Sequence, residues 1–295
     1  MNQRERGFLL LTSYLGDPER KVLTVAQLRS LAMRMRDMEM PMEDRELTER
    51  DLLRLGCDRE LSARILALLE QENLLDGYLA RAAKQNCVPI TRVSEKYPQI
   101  LRQRLGLDSP GCLWARGDVE ILNAPAIALV GCRELSEPNR KFAEAVGYQA
   151  AVQGLTLVSG NARGADRAAQ EACLKAGGRV VSIVADSLNR IPPRNVLYLS
   201  ENGFDEEFSA QRALSRNRCI HALGRMVFVA QSDLHKGGTW SGTVKNLRFG
   251  WSPVACFRDG SEAAAQLEQM GAYLIGMEDL RDFADLQTPD CFLWQ

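Results

Sequence analysis

Three glycine-bearing turns decide what chemistry is open to this chain. In Leu155–Asp166, LTLVSGNARGAD, an apolar run of strand length ends at Ser159-Gly160, and a glycine-broken turn then opens a helical pattern. Such a turn aims free backbone N–H groups and the positive end of a helix at whatever lies over the strand's C-terminus, an arrangement suited to phosphate. Ala126–Arg133 (AIALVGCR) and Val227–Thr243 (VFVAQSDLHKGGTWSGT) repeat it. In a parallel α/β sheet all three turns fall along one edge, where such folds bind ligands.

Taken singly, the residues in these turns leave alternatives open. Arg133 follows Gly131-Cys132 at a strand end, placed either to fork onto a phosphate or to form an ordinary ion pair. Ser159 and Gly160 allow close backbone approach, or simply form a tight turn. Asp166 stands where a helix starts, and N-capping outweighs ligand contact as its expected role. Arg163 has nothing apolar beside it and is expected to face an anion. Arg212 and Arg216 are one turn apart on a helix and share a face, with Arg218 to the side; spacing alone describes a solvated face. Lys236, Gly237, Gly238, Thr239 and Ser241 lie in a stretch expected to be an anion-binding loop just before a helix, and Trp240 is assigned to packing.

The dinucleotide fingerprint G-x-G-x-x-G is missing from these turns, and no G-x-x-x-x-G-K-[ST], G-x-S-x-G or H-E-x-x-H occurs. His221 and His235 are the only histidines, so general-base chemistry has few candidates. The eight cysteines contain no C-x-x-C pair and are expected to be reduced, buried thiols rather than metal ligands. A phosphate-holding protein without a catalytic residue, cofactor or metal is expected. The 37 basic and 38 acidic residues leave a net charge of −1, which argues against coating nucleic acid through bulk charge. Binding would have to be local, and Ala210–Ser232 supplies Arg212, Arg216, Arg218 and Arg225 without one acid. If about four or five such cations reach phosphates, the log–log salt slope should be about −3 to −4. No apolar run suits a membrane span, and the first residues do not form a signal peptide, so a cytoplasmic protein is expected.

The elements that position these turns follow from periodicity. Residues 1–85 show leucines at helical spacing, broken at Asp17-Pro18, Met40-Pro41 and Gly56, and predict a small all-helical domain; the methionines between Met33 and Met42 are expected to fill core. After a connecting stretch, Val88–Gly117, strands are predicted at Ala126–Val130, Leu155–Val158, Val180–Val184, Met226–Ala230 and Val254–Phe257. Helices are predicted at Asn139–Gln153, Arg167–Ala176, Glu206–Leu223, Val244–Phe249 and Glu262–Met270. This alternation predicts an α/β domain over 86–295 with a Rossmann-like parallel sheet and helices on both faces.

The ordered motifs VGCR (Val130–Arg133), SGNARGAD (Ser159–Asp166), PPRN (Pro192–Asn195), SENG (Ser200–Gly203), SRNRCIHALG (Ser215–Gly224) and GGTWSGT (Gly237–Thr243) resemble the DNA-processing protein A family, also called Smf. Tyr97-Pro98, LWARGD (Leu113–Asp118) and MGAYLIGMEDL (Met270–Leu280) extend the resemblance to about residues 86–283. It implies a Rossmann-like domain that binds single-stranded DNA, usually as a homodimer, and in many bacteria loads a RecA-type recombinase onto incoming strands. The DNA- or phosphate-binding set would be Arg133, Ser159, Gly160, Arg163, Gly164, Asp166, Arg212, Arg216, Asn217, Arg218, Lys236, Gly237, Gly238, Thr239 and Ser241. The chain departs from the family at Cys132, where a serine is usual, at Ile191 for tyrosine, and at Arg258-Asp259 for Pro-Gly. A nucleotide sensor of the same superfamily is the alternative. Hydrolysis is disfavoured because no glutamate follows Gly242-Thr243.

Overall fold

The computed structural model describes residues 1–38, 47–191 and 195–286, and divides into two compact units, Met1–Tyr97 with Pro110–Leu113 and Pro98–Ser109 with Trp114–Gln295. Pro192, Pro193 and Arg194 of the PPRN motif lie outside the described residues, as do Met40 and Met42. Among the described residues, no helix is long and apolar enough to cross a membrane.

In the first unit, helices α1 (Gln3–Thr12), α2 (Val25–Asp37), α3 (Glu49–Arg54), α4 (Arg59–Leu69) and α5 (Glu72–Lys84) precede a short strand, β1 (Val88–Thr91). The side chains of Asn2, Thr24, Thr48 and Asp58 each accept a backbone N–H three residues on, which sets the starts of α1 to α4. Their leucines meet as the spacing requires, with Leu23, Leu31, Leu52, Leu55 and Ile65 in one buried cluster. The methionines only partly fill core: Met35 packs against that cluster, whereas Met33 and Met38 are exposed.

The second unit holds α6 (Gln99–Leu105), most of β2 (Cys112–Arg116), β3 (Ala126–Val130), α7 (Glu137–Val152), β4 (Thr156–Ser159), α8 (Ala165–Lys175), β5 (Arg179–Ile183) and β6 (Leu197–Ser200). It continues with α9 (Ala210–Leu223), β7 (Val227–Val229), α10 (Gly237–Phe249), β8 (Val254–Phe257), α11 (Glu262–Gln269) and β9 (Tyr273–Ile275). These strands run in the order β2-β6-β5-β4-β3-β7-β8-β9. All adjacent pairs are parallel except β2 with β6, where Trp114 stands opposite Ser200. This is the Rossmann-like architecture that the alternation predicted. From β3 the chain winds outward to β6, then returns to β7 on the other side of β3. The order therefore reverses at β3, and a crevice opens there at the C-terminal ends of the strands.

Candidate nucleic-acid interface

The turns after β3 and β4 are fixed to one another. Gly164 takes φ +82°, and a Cβ there would collide with the carbonyls of Cys132 and Arg133, so both conformation and space require glycine. The next residue, Ala165, donates its backbone N–H to the Cys132 carbonyl at 3.2 Å. Asp166 is buried beneath this junction, and its carboxylate accepts the N–H groups of Gly160 at 3.2 Å and Ala162 at 3.1 Å. It does not cap α8, whose N-cap position is held by Gly164. Its carboxylate braces the SGNARG turn instead. Burial pushes the Asp166 carboxyl up, while the Arg216 charge, the two N–H groups and Arg133 pull it down.

Arg216 is not on a solvated face. Its guanidinium donates to the carbonyls of Gly160 and Ile183, just beyond the end of β4 and at the end of β5, and burial pushes its pKa down against the pull of Asp166 and Glu201. The helix that carries it, α9, is clipped to the next by Asn217, whose Nδ2 donates to the Gly238 carbonyl at 3.0 Å.

Residues 237–243 prove to be helix rather than loop. Helix α10 begins at Gly237, with Lys236 in the N-cap position and no side chain capping it. The first N–H groups of a helix have no intrahelical acceptor, so Gly237, Gly238 and Thr239 bring theirs to the crevice. Trp240 is buried and meets His235 edge-on at 5.0 Å, as the packing assignment expected.

These pieces enclose a cleft of about 780 Å3 over the C-terminal ends of the strands. Arg133, Arg163 and Lys236 line it as exposed cations, and Arg216, Asp166 and Asn217 line it as anchored side chains. Gly237, Gly238 and Thr239 complete that wall. Phe208 and Leu214, each 53 % exposed, also line the cleft and are absent from the expected binding set. The available signal was an apolar residue amid charge: Phe208 follows Glu206-Glu207, and Leu214 lies between two arginines.

Several expected binding residues are placed elsewhere. The Ser159 hydroxyl is fully buried and accepts from Gln170 Nε2 at 2.5 Å, so it does not face a phosphate. Gly160 and Gly164 contribute by letting Arg216 and the Arg133 carbonyl come close rather than by lining the cleft. Arg212 donates to the Glu207 carbonyl and the Ser200 hydroxyl. Arg218 pairs with Glu201 at 2.7 Å and also donates to the Asp108 and Ser215 carbonyls, which turns it from the cleft. The Ser241 hydroxyl turns back to the Gly238 carbonyl at 3.4 Å, within its own helix. Cys132 is half-buried at the rim, its thiol pushed up to about 11 by burial and by Asp233, so it stays protonated.

Residues 89–285 match the family model described as DNA recombination-mediator protein A. DNA processing protein DprA of Streptococcus pneumoniae is 31 % identical over 192 residues, 60 % of this chain and 68 % of that one. Protein Smf of Escherichia coli is 31 % identical over 156 residues, which cover 49 % of this chain and 41 % of that protein. The crystal structure of the Streptococcus pneumoniae protein superposes with a TM-score of 0.70 at 24 % identity, covering 92 % of this chain and 96 % of that one, and it shows the fold alone. A structure of DNA processing protein A from Helicobacter pylori, described for its single-stranded DNA binding mode, matches with a TM-score of 0.56 at 25 % identity over 67 % of this chain and 93 % of that one.

Proposed function

The chain belongs to the DNA recombination-mediator protein A family, and on that premise we propose that it binds single-stranded DNA, with the sugar–phosphate backbone lying in the cleft at the C-terminal edge of the sheet. The observation that carries this proposal is the convergence of Arg133, Arg163 and Lys236 with the uncapped start of α10. Guanidinium groups fork onto phosphate oxygens, and a helix N-terminus adds N–H donors and positive potential. Contacts of this kind read no bases, so binding would be weakly selective for sequence. The exposed apolar surfaces of Phe208 and Leu214 in the same cleft suit bases more than bare phosphate. The single-stranded DNA binding described for the Helicobacter pylori relative supports the assignment.

With family membership as its support, the proposal extends to an accessory role in recombination or DNA uptake, loading a RecA-type recombinase, and to action as a homodimer without turnover on nucleotides or DNA. Fluorescence anisotropy with a labelled oligo-dT, competed by duplex and by free AMP and ATP, tests it. Preference for the single strand supports the proposal. Competition by free nucleotides with no affinity for the strand would instead identify a nucleotide sensor, and release of base or phosphate would identify an enzyme.

A further inference from the structure

A second cavity, of about 480 Å3, lies in the groove between α7 and α8. Arg140 and Glu144 of α7, Arg167 and Glu171 of α8, and Gly164 line it. The groove starts where the cleft stops: Arg163 lines the cleft, and the next residue, Gly164, lines the groove. Glycine at this point leaves no side chain standing between the two.

The two arginines of the groove are exposed, and among the described residues neither guanidinium has an ion pair or hydrogen bond. Each has a glutamate one turn on, Glu144 and Glu171, but arginine ahead of glutamate is the weaker order for a pair on a helix. Each also stands at the start of its helix, where a cation opposes the macrodipole instead of complementing it. These positions do little for the fold, whereas they suit an anion laid across both helices.

We propose that the groove is an exit subsite for the same single strand: the backbone leaving the cleft past Arg163 crosses Gly164 and sets its next phosphates on Arg167 and Arg140. Forked guanidinium contacts to phosphate oxygens supply the attraction. The carboxylates of Glu144 and Glu171, one turn further along the helices, repel phosphate and end the track there, so the subsite adds about two phosphates to those that the cleft holds. The proposal rests on the reading of the cleft as a backbone-binding site.

Two oligonucleotides separate the subsite from the cleft: dT5, just long enough to meet Arg133, Arg163 and Lys236, and dT12, long enough to continue onto Arg167 and Arg140. Anisotropy on the full chain should give dT5 the log–log salt slope of about −2 that three exposed cations produce, and dT12 a slope steeper by about 1.4, or about 0.7 for each added phosphate. A longer strand also offers more registers, which raises affinity but not the slope, so the slope decides. The Arg140→Gln, Arg167→Gln double variant should bind dT5 as the parent does, bind dT12 about fivefold more weakly with the slope of dT5, and melt no lower than the parent. Glu144→Gln with Glu171→Gln should tighten dT12 by about threefold and leave dT5 unchanged, a gain that a poorly folded protein could not mimic. An unchanged dT12 slope in the arginine double variant would overturn the subsite and leave the groove to another partner. Equal loss of dT5 and dT12 in that variant would overturn it as well. A parent protein that binds neither strand would overturn the reading of the cleft, and the exit subsite with it.

Discussion

The guanidinium of Arg216 fills the space into which any side chain at Gly160 would project, and it donates to the carbonyl of that same residue. Glycine at 160 is thus a matter of close approach, and the arginine cross-links the ends of β4 and β5 to α9. The Gly160→Ala variant must displace the guanidinium and loosen both bonds. A loss of about 1–3 kcal/mol is expected from such overpacking, read as a lower urea midpoint together with weaker oligonucleotide binding. A midpoint equal to that of the parent protein would contradict this role for the pair.

Exposed and anchored arginines should separate in experiment. Arg133→Ala and Lys236→Ala remove solvated charges, so they should weaken single-strand binding while leaving stability within about 0.5 kcal/mol. Arg218→Ala should behave in the opposite way, because it leaves the carboxylate of Glu201, whose side chain is 8 % exposed, without its partner. The cost should be about 1–3 kcal/mol, less than for a fully buried pair because Arg218 itself is partly exposed. Thermal melts and anisotropy on the three variants check this, and a stable Arg218→Ala protein with lost binding would return that residue to the interface.

Acid should destabilise the second unit through His221. Its ring is fully buried, neither ring nitrogen has a hydrogen-bond partner among the described residues, and burial pushes its pKa from 6.5 down to about 3. The folded pKa lies below the unfolded one, so the unfolded chain takes up the proton first as pH falls. The contribution is intact above about pH 6.5 and is lost progressively toward about pH 3. Between about pH 7 and pH 5 the loss should be about 2 kcal/mol in urea unfolding, and His221→Leu should abolish that component. Equal acid sensitivity in the variant would contradict the assignment.

Particular residues show where the sequence was informative. β3 and β8 lie where the apolar runs predicted them, because each is a short run bounded by turn residues. By contrast β6, LYLS, is only four residues, buried throughout, and shows no alternation to mark it as a strand. β2 was hidden for the same reason within a stretch assigned as connection. Gly237, Gly238 and Gly242 are poor helix formers, so sequence alone starts this helix only at Val244, whereas α10 begins at Gly237. Tertiary packing overrides that preference: a Cβ on Gly242 would crowd the His221 ring and Asn217 across the helix pair. The anchoring of Arg216 was invisible because its acceptors lie 56 and 33 residues away in sequence. Local spacing holds no record of such contacts.

The salt dependence of oligo-dT binding tests the central claim most directly. The basic run Ala210–Ser232 suggested a slope of about −3 to −4, but Arg212, Arg216 and Arg218 are anchored to the fold and Arg225 lies at the other edge of the sheet. The cleft instead offers Arg133, Arg163 and Lys236 as exposed cations. At about 0.7 per neutralised phosphate on a single strand, the slope of log affinity against log salt should be about −2, and about −0.7 in the Arg133→Ala, Lys236→Ala double variant. A slope near zero in the parent protein, or an unchanged slope in the double variant, would contradict a backbone-binding cleft at this edge of the sheet.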